Sequence, residues 1–209
     1  GVGKTTALME LMKQAREKGQ RAIVYDKKGT FVSAFYRPDK DIILNPLDAR
    51  SPAWNVWAEC HDGADFETLA QALMPEHLAQ SDPFWTNAAR TIFSAAAQQL
   101  KKRGECKMRA LLEPIFTDPE SAEGLSTLLK GTVAETLVSE KIDKTALSIK
   151  ATLSTYCKSL MFLNGMDEGA NKIFSIRDWV QQENQDSWLF FSVVDSLKMP
   201  LLRPLISVW

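Results

Sequence analysis

The chain opens Gly1-Val2-Gly3-Lys4-Thr5-Thr6 and runs through a helical stretch into Arg21-Ala22-Ile23-Val24-Tyr25-Asp26. The first five residues match the right-hand part of G-x-x-x-x-G-K-[ST], a loop whose backbone N–H groups wrap phosphates where a helix starts. Each residue type has a physical reason. Gly1 and Gly3 let the backbone approach phosphate oxygens with no Cβ in the way. Lys4 reaches the β- and γ-phosphates and is the catalytic candidate, and the Thr5 hydroxyl is placed to ligate Mg²⁺. Val2 and Thr6 complete the nucleotide-binding set. Ala7, Leu8, Leu11, Met12 and Ala15 then recur at helical spacing, Lys13, Arg16 and Lys18 fall in the last turns, and Gly19 supplies a stop. Residues 21–26 read as a buried strand. Loop, helix, stop and strand in this order form the unit in which a helix N-terminus faces phosphate, and the expected ligands are ATP and Mg²⁺.

A dinucleotide fold is the near competitor, because Asp26 lies about 20 residues after the glycines, where an acidic group would meet a ribose. Its third glycine is missing, with Thr6 in that place, and Lys4-Thr5 serves a triphosphate rather than NAD. Asp26 itself has two readings. It helps hold Mg²⁺ or its waters at the edge of the sheet, or it is the turn and cap residue for Lys27-Lys28-Gly29.

The rest of the composition is that of an ordinary globular protein: 209 residues, 45% hydrophobic and 24% charged. This excludes collagen-like, disordered and disulfide-stapled classes. With 25 Lys+Arg against 26 Asp+Glu the formal charge is −1, so any affinity for nucleic acid or anionic lipid must come from a local patch. Cys60, Cys106 and Cys157 are far apart and in no C-x-x-C pair, and His61 and His77 are two isolated histidines, so no zinc site is expected. The longest apolar run, residues 188–194, is far short of the roughly 20 residues that span a bilayer. Because the first residue is Gly and no charged-then-apolar leader follows, the sequence is expected to begin inside a longer protein.

Helix and strand signals alternate over residues 1–60, with a short amphipathic stretch at Phe31, Val32 and Phe35 and a second strand at Ile42-Ile43-Leu44. Residues 61–165 show helical periodicity and no strand. Pro83 opens a helix behind Ser81-Asp82, with Trp85, Ala88, Ala89, Ile92, Phe93, Ala96 and Leu100 on one face and Gly104 at its end. Thr132 is expected to open another helix, and Ile142 to Leu163 to form one of about six turns. Strand signals return over 166–209, in Lys172-Ile-Phe-Ser-Ile176 and in Trp188-Leu-Phe-Phe-Ser-Val-Val194, before a final helix from Leu201. The expected fold is therefore α/β: a partial nucleotide-binding sheet interrupted by an all-α domain. No apolar strand ending in Asp-Glu, the second Mg²⁺ and water-activating element, occurs before Trp209, so the chain alone is not expected to hydrolyse ATP.

Lys101, Lys102, Arg103, Lys107 and Arg109 form the densest basic cluster, a candidate contact for DNA phosphates or an acidic partner, set against a solvated helix end that suits the helix dipole. Trp54, Trp57, Phe84 and Trp85 read as packing residues or as an interface with a neighbouring subunit.

Several strings are longer and more idiosyncratic than the phosphate motif. Leu44-Asn-Pro-Leu-Asp-Ala-Arg50 with Ala53-Trp54 and Trp57, Asp82-Pro-Phe-Trp85 with Arg90-Thr-Ile-Phe93, Glu140-Lys-Ile-Asp-Lys-Thr-Ala146, Phe174-Ser-Ile-Arg-Asp-Trp179 and Ile206-Ser-Val-Trp209 resemble conjugative coupling proteins of the TraD type over essentially the whole chain. The resemblance implies a RecA-like P-loop NTPase: a hexameric, membrane-anchored, DNA-translocating ATPase at the cytoplasmic mouth of a type IV secretion channel. It implies as partners a relaxase with its single-stranded DNA and other relaxosome proteins, met by the all-α domain, with the anchor lying before residue 1. It carries Gly1, Gly3, Lys4 and Thr5 onto the family's phosphate loop and Asp26 onto an acidic residue ending the next strand. The family's second acidic motif and subunit-bridging arginine would fall beyond Trp209. Two functional readings follow: a motor driven by ATP held at Lys4 and Thr5, or an adaptor that recruits relaxosome proteins with nucleotide only stabilising assembly. A small-molecule kinase, the third, lacks an arginine-bearing lid.

Overall fold

The computed structural model describes residues 2–75, 83–117, 122–139, 143–170, 172–183, 186–193 and 197–209. In chain order, α1 (Val2–Glu17), β1 (Ala22–Asp26), α2 (Thr30–Phe35) and β2 (Ile42–Leu44) lead into α3 (Gly63–Leu73), α4 (Pro83–Arg103), α5 (Met108–Phe116), α6 (Glu123–Leu129) and α7 (Asp143–Cys157). Then α8 (Ile176–Gln181), β3 (Trp188–Ser192) and α9 (Met199–Val208) close the chain. These elements fold as two compact units, one of residues 1–52 with 176–202, the other of 53–175 with 203–209.

The first unit is built on a parallel sheet of order β1-β3-β2. The continuous apolar run of β3 belongs at its centre, since a strand paired on both edges and covered on both faces has no need of alternation. Trp188, Leu189 and Phe190 are fully buried there. Val24, Val32, Ile43, Trp188 and Phe190 form the core, joined by Met12 and Ala15 of α1 and by Phe35 and Tyr36. Only part of the apolar stripe of α1 is used, because Leu8 and Leu11 of the same helix are 49% and 62% exposed. Gly19 ends α1 at φ 65°, a left-handed conformation that glycine adopts without strain.

The second unit is helical, with no strand among its described residues. Asp62 caps α3 by accepting from the Asp65 N–H at 3.0 Å. Ala88, Ala89, Ile92, Phe93, Ala96 and Leu100 are buried on α4, which packs against α3 and α7. The expected cap residues Ser81 and Asp82 lie outside the described residues, as do His77 and Ile142. The unit takes in Ala53 to Ser175 and Arg203 to Trp209, against the 61–165 read from the sequence. The extra residues are tied in by hydrogen bonds: Trp57 Nε1 donates to the Ala97 carbonyl at 2.9 Å, Asn55 Nδ2 to Asp167 Oδ2 at 3.0 Å, and the Phe174 N–H to the Ala53 carbonyl at 2.8 Å.

Three expected elements differ in the structure. Residues 172–175 form no strand, and α8 starts at Ile176 with Asp178 in its first turn, where a carboxylate favours the helix N-terminus. Thr132 opens no α-helix: its hydroxyl accepts the Ala134 N–H in a tight turn after Gly131, and a 3-10 segment follows at Glu135–Val138. The long helix ends at Cys157 and continues to Leu163 as 3-10 turns. No helix among the described residues is long and apolar enough to cross a membrane. Cys60, Cys106 and Cys157 are free, and burial pushes the Cys157 thiol far above its ordinary range.

Candidate functional site

Gly3, Lys4 and Thr5 occupy the first turn of α1, where backbone N–H groups have no acceptor inside the helix and the helix dipole favours an anion. All three are exposed, as is Thr6, and nothing lies within 4 Å of the position a Gly3 Cβ would take. Gly1 and the Val2 side chain lie outside the described residues.

The other end of α1 fixes its direction. Arg16 donates from Nη1 to the Asp186 carbonyl at 3.1 Å and from Nη2 to the Phe35 carbonyl at 2.9 Å, and its guanidinium lies 3.6 Å from the Trp188 ring centroid. Trp188 Nε1 donates to the Gln20 carbonyl at 2.7 Å. The C-terminus of α1 is thereby held where β3 begins, and its N-terminus points to the opposite edge, where the parallel strands end. That carboxyl edge is where open α/β sheets bind ligands.

Asp41, absent from the candidates drawn from the sequence, is the centre of this anchorage. Its side chain is fully buried. Oδ1 accepts from Arg16 Nη1, Arg37 Nη2 and the Trp188 N–H, and Oδ2 from Arg16 Nη2 at 2.7 Å, the Arg37 N–H and Arg37 Nε. Burial lowers the Arg16 pKa despite this pairing with Asp41. Arg37 and Lys40 also pair with Asp186, whose carboxyl they hold down at about 2. The signal available in the sequence was an acidic residue standing directly before the apolar run Ile42-Ile43-Leu44.

Asp26 ends β1 and is 2% exposed. Its Oδ2 accepts the N–H groups of Phe31 and Val32 at 2.8 and 2.9 Å, and its Oδ1 that of Lys28 at 3.2 Å. These bonds supply partners to the first turn of α2, so the structure gives Asp26 the work of a cap.

The basic cluster lies in the helical unit and is largely spent on backbone. Lys101 Nζ donates to the carbonyls of Cys60 and His61, both at 2.9 Å, Arg103 to that of Leu128 at 3.3 Å, and Lys107 to that of Asp167. Arg109 faces Glu168 at 3.7 Å. Lys102 alone of the five has no partner among the described residues. Trp54 is fully buried and donates to Glu59 Oε1, whereas Phe84 is 47% exposed and meets Trp85 edge to face.

A small parallel sheet whose first helix starts on Gly-Lys-Thr, joined to a helical unit, defines the RecA-like class of nucleotide-binding fold with an all-α domain. Within it, residues 1–209 match the family described as the type IV secretion-system coupling protein DNA-binding domain, and the chain belongs to that family. It is 38% identical over 212 residues to the coupling protein TraD of Escherichia coli (strain K12), covering 100% of this chain and 29% of TraD. Among solved structures it is similar to the unbound bacterial conjugative coupling protein TrwB, at 31% identity and a TM-score of 0.82, covering 100% of this chain and 47% of that one. It is similar also to TrwB in complex with ADP and Mg²⁺, at 32% identity and a TM-score of 0.81, covering 48% of that chain. The chain thus spans less than half the length of the relatives it matches.

Proposed function

We propose that this chain is the nucleotide-holding part of an ATP-driven DNA translocase that links the relaxosome to a type IV secretion channel in conjugation. The observation that carries the reading is the open first turn of α1, Gly3-Lys4-Thr5, aimed at the carboxyl edge of the sheet by the buried Arg16–Asp41 anchorage. TrwB bound to ADP and Mg²⁺ and to a non-hydrolysable GTP analogue supports it.

In this mechanism the N–H groups of the first turn, with Gly1 and Val2, wrap the phosphates while Thr6 continues the helix. Lys4 neutralises charge developing on the transferred phosphoryl group. The Thr5 hydroxyl would hold Mg²⁺, which would supply charge neutralisation at the phosphates. Such a site suits the ion, which keeps several waters, and the described residues contain no cluster of three or more His, Cys, Asp or Glu that could cage a metal. The water-activating acid comes from other parts of the full-length protein. The sheet unit, residues 1–52 with 176–202, serves as the nucleotide-binding domain and the helical unit, 53–175 with 203–209, as the all-α domain. The whole protein works as a hexamer at the cytoplasmic face of the bacterial inner membrane, with a membrane anchor and with the relaxase and its single-stranded DNA as cargo.

The adaptor reading is favoured by one observation: Lys101, Arg103 and Lys107, which would otherwise meet DNA phosphates, donate to backbone carbonyls. ATP hydrolysis by the full-length protein, with and without single- and double-stranded DNA, separates the two. DNA-stimulated turnover that falls at least about 100-fold in Lys4→Ala supports the motor. Nucleotide binding without turnover on any DNA, together with normal DNA transfer by the mutant, establishes the adaptor instead.

A further inference from the structure

The turn that follows β1 carries Lys27 and Lys28, two adjacent cations at the carboxyl edge, the edge toward which α1 points its first turn. The backbone of this turn is held. Asp26 Oδ1 accepts the Lys28 N–H at 3.2 Å, Gly29 takes a left-handed φ of 72°, and the Gly29 carbonyl accepts both the N–H and the hydroxyl of Ser33, at 2.9 and 2.7 Å. The two lysines diverge. Strand alternation puts Ile23 and Tyr25, both exposed, on one face of β1, and Val24 and Asp26, both buried, on the other. Val24 belongs to the core that Met12 and Ala15 of α1 cover, so the Asp26 face is the α1 face. Lys27 Nζ stands over the Tyr25 ring at 5.7 Å and is thereby drawn to the face away from α1. Lys28 is exposed, its N–H is tied to the Asp26 carboxylate, and its ammonium has no partner among the described residues.

Height along the sheet brings Lys28 level with the first turn of α1. Arg16 reaches the Asp186 carbonyl, just before Trp188, and Trp188 pairs in register with Ala22. From that common level Lys4 lies about 18 Å along α1 at ~1.5 Å per residue. Asp26 lies about 13 Å along β1 at ~3.3 Å per residue, and Lys28 stands in the turn beyond it. The four-carbon stem of lysine covers the remaining difference. Asp26 itself is turned inward, its oxygens filled by three N–H groups, which leaves the Lys28 ammonium to meet a further anion. We propose that Lys28 is a second cationic contact for the bound nucleotide, with its ammonium on the terminal phosphate, and that it sets a preference for a triphosphate over a diphosphate. The inference rests on reading Gly3-Lys4-Thr5 as the phosphate site and adds to it a residue outside that motif. A triphosphate brings about one charge more than a diphosphate, and a second cation counts most where that charge collects. The held turn keeps the entropic cost low, because only the lysine stem is ordered on contact.

The test uses the full-length protein with Mg²⁺ and titrates ADP and a non-hydrolysable ATP analogue by calorimetry, so the result does not depend on turnover. Lys28→Gln is expected to weaken the analogue about tenfold and ADP less than about twofold, with an unchanged melting temperature. Lys28→Arg should keep affinity for the analogue within about threefold of the parent, and Lys27→Gln should leave both nucleotides unchanged. An unaltered ratio of the two affinities in Lys28→Gln overturns the proposal and returns Lys28 to a solvated turn. So does an equal effect of Lys27→Gln, which would make the preference a diffuse field of the edge. Loss of affinity for a single-stranded oligonucleotide in Lys28→Gln, with the nucleotide ratio intact, overturns it in favour of a DNA contact. Lys4→Ala keeps the two readings apart. If that variant loses both nucleotides while Lys28→Gln keeps the parental ratio, this inference alone falls. If Lys4→Ala binds both as the parent does, the phosphate-loop reading falls and this inference with it.

Discussion

Two buried aspartates, Asp41 in the sheet unit and Asp167 in the helical unit, are treated very differently. Asp41 in the sheet unit receives six donors from Arg16, Arg37 and the Trp188 backbone. Asp167 in the helical unit, also fully buried, receives Asn55 Nδ2 and the Met108 N–H on Oδ2, both at 3.0 Å, while its Oδ1 has no partner among the described residues. The first carboxylate is a junction that draws α1, the start of β2 and the start of β3 onto one point. The second is a local clamp that caps α5 and holds residues 53–60 to the helices. Burying a carboxylate is tolerated when its lone pairs are filled and costly when one is left over. The Asp41 junction thus orients α1, whereas the Asp167 clamp acts locally within the helical unit.

The contrast is broken or sharpened most directly at Asp41. Asp41→Asn removes the counter-charge from two guanidinium groups and turns an N–H₂ toward their donors, and is expected to destabilise the protein by about 3 kcal/mol or more in a denaturant titration. Asp167→Asn keeps one oxygen for Asn55 and Met108 and discharges a group with an unfilled lone pair. It should cost about 1 kcal/mol or less by the same measurement. Equal costs would erase the distinction between junction and clamp.

The smallest effect concerns Asp186 at the rim of the junction. Arg37 and Lys40 depress its carboxyl from 3.8 to about 2, so the folded state binds fewer protons than the unfolded one. Its contribution to stability is complete above about pH 4 and disappears as the pH falls toward 2. Melting curves of Asp186→Asn should therefore lie slightly below those of the parent at pH 7 and converge with them near pH 2. A gap that persists at low pH would move the effect from charge to shape.

Much of this fold was legible in advance because its signals are local. Gly19 stops α1 by its own conformation, the apolar face of α4 repeats at helical spacing, and the run in β3 is too continuous for a half-exposed strand. The segment 172–175 misled because Lys172-Ile-Phe-Ser-Ile176 has strand composition, yet its Phe174 N–H bonds the Ala53 carbonyl and the segment joins no sheet. Within the candidate site, Gly3, Lys4 and Thr5 were visible as a motif, whereas the residues that aim them were not. Arg16 reads as a helix-end cation and Asp41 belongs to no motif, and only long-range folding brings them together. Asp26 was legible as an acid at a strand end, but the N–H groups of Phe31 and Val32 give it its task.

The strand order has a consequence for synthesis. Because β3 lies between β1 and β2, neither of those strands has its neighbour until Trp188–Ser192 has been made, and a stretch of 53–175 intervenes. On the ribosome the helical unit is contiguous but for its last seven residues and rich in local contacts, so it is the part equipped to form first. Until then Ile43 and Leu44, fully buried in the finished protein, wait without a covering strand. The early portion of this chain therefore depends on the late portion, and a nascent chain halted before β3 would expose strand edges that invite aggregation.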